Sequence, residues 1–227
     1  MLGFVGVGVM GEPMCRNLAK KSGVPVLAAD RDAAPLERLA ADGVKTASVE
    51  EIATSCRTIF LSLPGGREVE EICLGEAGLV SRAKLGWTIV DLSTAPPKLA
   101  RRLYAEFEGK AAAFADAPVA RTRQAAIDGT LSIMVGATPQ TFSRIEPLLR
   151  HMASEVTHCG EAGAGQTVKI MNNMILFQTV VALAEGLSIA RANGVDGKVL
   201  FETLTKGSAD SFALRNHGMK AMLPGVF

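Results

Sequence analysis

The sequence predicts a two-part α/β chain, with a largely parallel sheet covered by crossover helices over residues 1–162 and a long helix leading into an all-helical region over 163–227. Two observations carry this. Apolar runs rich in β-branched and aromatic residues recur at 2–7, 24–30, 57–64, 87–93, 111–119, 131–137 and 154–159, separated by helical patterns such as "APLERLAADG", "REVEEICLG", "PPKLARRLYAEFEG" and "TPQTFSRIEPLLRHMA". Parallel neighbours need long return connections, and strands covered on both faces read as continuous apolar runs. The alternation then stops: from Gln166 to Ala192 only Gly186 interrupts, no strand signal appears, and one long helix is expected.

Composition narrows the function classes. At 227 residues the chain can bury a sizeable core, and with 48% hydrophobic residues and a net charge of +1 it gives no reason to expect nucleic acid or an anionic membrane surface as partner. Cys15, Cys56, Cys73 and Cys159 are far apart, with no CxxC pair, and the three histidines are scattered. Neither a metal site nor a disulfide framework is suggested, which fits a reducing, cytoplasmic setting. The N-terminal "MLGFVGVGVMGEP" lacks the basic start and cleavage site of a signal peptide and is too short and glycine-rich to span a bilayer. The most apolar stretch, "MILFQTVVALA" at 174–184, follows two asparagines and contains Gln178, so a buried helix is expected there rather than a membrane span. A discrete small-molecule site is the remaining default.

"GVGVMG" places Gly6, Gly8 and Gly11, with Val9 and Met10 between the last two, after the first strand and before the helix "EPMCRNLAKKSG". The first glycine permits a tight turn, the second lets backbone approach a pyrophosphate, and the third allows close helix–strand contact; the helix N-terminus adds amides and a positive dipole end. Asp30 ends the second strand nineteen residues after Gly11, where a carboxylate can accept hydrogen bonds from an adenosine ribose. Its charge favours NAD, although Arg31 could pair with the 2′-phosphate of NADP.

Lys169 is the only charge between Glu161 and Glu185. An ammonium among apolar neighbours must snorkel, pair or have a task, and burial would lower its pKa toward a range useful for proton transfer. Asn173 lies one turn on, at i+4 on the same side, while Asn172 is about 100° away. A proton donor and a carbonyl-orienting amide at the start of the helix leaving a nucleotide domain suit hydride transfer with lysine as acid/base. A snorkelling lysine and a bridging asparagine remain the structural alternative.

Five ordered stretches, "GFVGVGVMGEPMCRNL", "LSLPG", "VDLST", "DAPV…GTLSIMVGA" and "GAGQTVKIMNN", resemble the β-hydroxyacid dehydrogenases, which include 3-hydroxyisobutyrate dehydrogenase and tartronate semialdehyde reductase. The resemblance covers essentially the whole chain. It implies a Rossmann-type parallel-sheet domain, a long linking helix, an all-α C-terminal domain, and reversible NAD(P)-dependent oxidation of a β-hydroxyacid. It also implies that Lys169 is the catalytic lysine and Asn173 the substrate-orienting asparagine, that Leu63 and Pro64 lie along the cofactor, and that Thr94 sits near the nicotinamide ribose. Pro64 ending a strand and Thr94 capping a helix from Pro96 are the structural alternatives.

Two departures from the family pattern stand out. Members commonly continue "DAPV" with Ser-Gly-Gly, which holds the substrate carboxylate; here the three positions are Ala120, Arg121 and Thr122. This "PVxRT" variant resembles a branch that includes sulfolactaldehyde and succinic semialdehyde reductases, and a guanidinium with a hydroxyl suits a larger or more strongly acidic head group. Arg121, helped by Thr122, is therefore expected to read the substrate's anionic end, and Arg123 to be surface charge. The second departure is that members continue for several more helices past "MKAMLPGVF", so the C-terminal domain is expected to be partial and the apolar face of the 166–192 helix to be covered in a homodimer or tetramer. The resulting expectation is an NAD(P)-dependent enzyme interconverting a small anionic β- or γ-hydroxyacid and its semialdehyde or keto form. The alternative is a dinucleotide-binding scaffold or sensor without turnover.

Overall fold

The computed structural model describes residues 1–226, which fall into two compact units divided between Lys169 and Ile170. The first unit runs β1 (Leu2–Val5), α1 (Gly11–Ser22), β2 (Val26–Ala29), α2 (Ala33–Ala40), β3 (Lys45–Thr46), α3 (Val49–Ser55), β4 (Thr58–Leu61), α4 (Gly66–Leu74), α5 (Leu79–Arg82) and β5 (Thr88–Asp91). It continues with α6 (Pro97–Glu108), β6 (Ala113–Asp116), β7 (Val119–Ala120), α7 (Arg123–Asp128), β8 (Leu131–Gly136), α8 (Pro139–Leu149) and β9 (Ala153–Gly160). The helix α9 (Ala164–Ala192) begins here and continues into the second unit, which adds α10 (Gly197–Leu204) and a π-helical segment, Leu214–Met222.

The sheet order is β3-β2-β1-β4-β5-β6-β8-β7, with β9 also paired to β8. From β3 to β6 every pairing is parallel, as the alternating pattern predicts. β8 runs antiparallel to β6 and β7 and parallel to β9. The register Val5↔Leu61↔Asp91↔Asp116 brings the carboxyl ends of four strands to one edge.

Period-two alternation sorts the strand side chains between two cores. Phe4, Phe60, Val90 and Ala115 join Met14 and Leu18 of α1 and Ile145 and Leu149 of α8 on one face. Val5, Ile59, Leu61, Ile89 and Phe114 meet Ile52 of α3, Val69 of α4 and Leu103 and Phe107 of α6 on the other. Both faces are covered, which is why these strands read as unbroken apolar runs. Two short elements were not legible by alternation. β3 is two exposed residues, and α3 is announced instead by a capping box in which Ser48 and Glu51 satisfy each other's backbone amides.

In the second unit Leu183 and Leu187 of α9 are buried with Phe201, Ala213 and Leu214. Within the single chain the expected burial of 174–184 is confined to one residue, in keeping with the expectation that the apolar face of this helix needs a cover. Met174, Ile175, Phe177 and Val181 are exposed, and Leu183 alone in that stretch is buried. The reason is that α9 is apolar around most of its circumference, while the small core of α10 and the π segment reaches one side of it. By length and composition α9 would also qualify as a membrane-crossing helix.

Candidate active site

Gly6 ends β1 with φ +91°, and a Cβ there would stand 2.2 Å from the Ser62 carbonyl; one at Gly11 would stand 2.1 Å from the Gly6 carbonyl. The turn therefore needs glycine twice, once for its dihedral and once because α1 starts against it. Gly8 has no neighbour within 4 Å of a virtual Cβ, so its backbone faces open space, and the first turn of α1 has no side-chain cap. Beside this turn lies a cleft of about 650 Å³ lined by Gly6, Gly8, Val9, Met10, Gly11, Asp30, Arg31, Leu63 and Pro64, with Val49 and Ile72 supplying apolar walls. Open amides, a carboxylate and apolar walls at the carboxyl ends of parallel strands fit a dinucleotide.

Asp30 is committed to the turn as well as facing the cleft. Its Oδ2 accepts from the Val7 amide (2.6 Å) and its Oδ1 from the Asp32 amide (2.9 Å). A carboxylate has lone pairs to spare for a ribose hydroxyl. Arg31 is paired with Glu71 of α4 at 3.3 Å.

At the other end of the same edge a buried polar network joins three loops. The Leu63 amide donates to Ser93 Oγ (2.9 Å), and the Ser93 amide to Asp91 Oδ1 (3.0 Å). Gln166, fully buried in the first turn of α9, accepts from the Ala95 amide through Oε1 (3.0 Å) and donates through Nε2 to the Ser93 carbonyl (2.8 Å). Asp116 receives the amides of Gly163 (2.6 Å) and Gln166 (2.8 Å), so a carboxylate from β6 terminates a helix about fifty positions later. Gly165 makes the approach possible, since a Cβ there would lie 2.4 Å from the Met134 carbonyl and 2.8 Å from that of Asp116. Gly165→Ala is expected to cost about 2–3 kcal/mol, read as a lower denaturant midpoint; an unchanged midpoint would show that α9 can retreat from the sheet at no cost.

Burial governs the ionisable groups of this network. Desolvation raises the Asp91 carboxyl to about 7, with Asp116 adding to it and the Ser93 hydrogen bonds opposing, and Asp91 Oδ2 is buried without a partner. Desolvation also raises Asp116, against the amides of Gly163 and Gln166. Lys169, one turn beyond Gln166 and half-buried, is lowered from the usual lysine value by desolvation.

Thr94 is exposed and does not cap α6, whose N-cap is Pro96. Ala120 is buried in β7 opposite Ser132. Arg121 adopts φ +86°, where a non-glycine residue is strained, and its Nη1 donates to the Thr130 carbonyl and to Ser154 Oγ (3.0 Å). Neither bond uses the Nε–Nη2 edge of the fork. Thr122 is the N-cap of α7, its Oγ1 accepting from the Ala125 amide (3.4 Å), and Arg123 is an exposed residue of the helix it starts. Asn173 is in the second unit, where the Asn172 amide donates to its Oδ1 (3.2 Å). Asp91, Ser93, Asp116 and Gln166 were not singled out from sequence. The available signals were a carboxylate ending each of two apolar strands and a glutamine three residues before the lone lysine.

The sheet, turn and cleft define a dinucleotide-binding protein of the Rossmann class. Residues 1–160 match the model of the NAD-binding domain of 6-phosphogluconate dehydrogenase, and residues 163–227 that described as the NAD-binding of NADP-dependent 3-hydroxyisobutyrate dehydrogenase. The chain is 35% identical to 2-(hydroxymethyl)glutarate dehydrogenase of Eubacterium barkeri over 227 residues, covering all of this chain and 75% of that one. It is 35% identical to mitochondrial 3-hydroxyisobutyrate dehydrogenase of Mus musculus over 208 residues, covering 91% of this chain and 62% of that one. A solved structure of Mycobacterium tuberculosis 3-hydroxyisobutyrate dehydrogenase with L-serine superposes with a TM-score of 0.89 at 30% identity, over 99% of this chain and 77% of that one. The chain belongs to the β-hydroxyacid dehydrogenases, an NAD(P)-dependent oxidoreductase family, and the comparisons support that reading over a scaffold without turnover.

Proposed function

We propose that the protein interconverts a small anionic β- or γ-hydroxyacid and its semialdehyde or keto form, with Lys169 as acid/base. A nicotinamide cofactor bound in the cleft supplies or accepts the hydride. Lys169 protonates the carbonyl oxygen in reduction and removes the hydroxyl proton in oxidation, a task that its lowered pKa suits. Asn173 orients the carbonyl. The free Nε–Nη2 edge of Arg121 takes the remote anion, with the Thr122 hydroxyl donating beside it and Ala120 leaving room. Thr94, Leu63 and Pro64 border the nicotinamide half. The observation that carries the reading is a half-buried lysine, alone among apolar residues, on a helix whose first turn is fastened to the carboxyl ends of β5 and β6.

NAD is the preferred cofactor, because Asp30 would repel a 2′-phosphate and Arg31 is occupied by Glu71. Asp30→Ser combined with Glu71→Gln is expected to shift the kcat/KM preference toward NADP by about tenfold or more. Unchanged preference would remove both residues from the selection. The working form is a cytoplasmic homodimer or tetramer that covers the exposed row on α9, and the functional division falls between residues 1–162 and 163–227.

The test follows NADH formation with hydroxyacids that differ only in the remote group: carboxylate at two chain lengths, sulfonate and phosphate. Turnover favouring the sulfonate or the longer carboxylate, and losing that preference in Arg121→Gly, supports the assignment. Silence across the panel while NADH still binds would favour a binding protein.

A further inference from the structure

We infer that Gln166 is a positioning residue that sets the nicotinamide-side loop and the Lys169 helix at a fixed spacing, an inference that rests on the cofactor and acid/base reading above. Its side chain forms the pair of bonds that a neighbouring strand would form. It takes the Ala95 amide at 3.0 Å and gives to the Ser93 carbonyl at 2.8 Å, bridging the two residues that flank Thr94. Those residues are clamped from inside while Thr94 itself stays exposed. The same clamp reaches the neighbouring loop, because Ser93 Oγ holds the Leu63 amide. The Gln166 backbone amide is in turn held by Asp116, and Lys169 follows one turn later on the same side of α9.

The strand order gives the loop its meaning. With Asp30 at the end of β2 taking the adenosine side, the other half of a dinucleotide must cross the edge over β4 and β5, where Leu63 and Thr94 stand. Two parts of a hydride-transfer site, the wall at the ring and the proton donor, are thus joined through one amide side chain. A misplacement of about 1 Å costs up to about a hundredfold in rate, so such a link has leverage well beyond its two hydrogen bonds.

The test compares NAD with ADP-ribose, which lacks the nicotinamide, by calorimetry. In Gln166→Leu the dissociation constant for NAD is expected to rise about tenfold, because the loop released from its two hydrogen bonds holds the binding position only about a tenth of the time, while that for ADP-ribose stays within about twofold. Gln166→Glu supplies the second measurement and covers the case in which the leucine variant fails to fold. Its ionised form cannot donate to the Ser93 carbonyl but its protonated form can, so discrimination between the two ligands should recover as pH falls. A purely structural glutamine would weaken both ligands together and show no such recovery, and either result overturns the proposal. Selective loss of NAD affinity in the Gln166 variants, together with a wild-type protein that turns over no hydroxyacid, would instead refute the proposed reaction and leave the clasp standing.

Discussion

Lys169→Ala is expected to lower turnover by about 10²–10⁴ while leaving the NADH dissociation constant within about twofold, since general acid/base groups contribute to the reaction and not to cofactor binding. The ammonium is half-buried and one turn from a buried clasp, so neither its solvation nor its position is that of a surface lysine. The direction of the pH dependence follows from its lowered pKa. Reduction needs the protonated amine and should decline as pH rises through that value, whereas oxidation needs the free amine and should increase. Lys169→Arg keeps the charge but cannot release the proton near neutrality, so it should lose oxidation more completely than reduction. Lys169→Ala turning over like wild type would end the assignment.

Between pH 5 and pH 8 the protein is expected to lose about 3 kcal/mol of stability through Asp91 alone. Burial raises this carboxyl from 3.8 to about 7, so between those values the folded chain holds a proton that the unfolded chain releases. Stability therefore falls as pH rises through this window, at about 1.4 kcal/mol per unit, and levels off above the folded value. Asp116 beside it and the Cys73 thiol on α4 face the same buried region. Glu12, Asp42 and Asp210, whose pKa values are lowered by their ion pairs, act in the opposite sense and at lower pH. Asp91→Asn should abolish most of the slope. Urea titrations of both proteins at the two pH values decide it, and parallel losses would show that another group carries the effect.

The parts of the molecule governed by local pattern were legible in the sequence. Strands buried on both faces show apolar runs, the glycine turn shows its spacing, and Asp30 follows at the expected distance. What escaped depends on pairing across long stretches of chain. Nothing near Gln166 says that its partners are Ser93 and Ala95, more than seventy residues earlier, and nothing near Asp116 says that it caps α9. The apolar face of α9 is a related case: its exposure in the single chain accords with the expected need for a cover, but an apolar segment states what would be buried and not which neighbour buries it. Arg121 shows a third limit, because its positive φ and its bonds to Thr130 and Ser154 follow from the bend between β7 and α7.

The side-chain clasp also has a consequence for motion. The loops at 62–65 and 92–96 have the serine, threonine, glycine and proline composition of mobile surface turns, and such segments normally open on the fast side of the amide-exchange spectrum. Here the amides of Leu63, Ser93 and Ala95 donate to buried oxygens. Their exchange is expected to be slow and coupled to the opening of the sheet itself, leaving the breathing of the site to the segments the clasp does not reach.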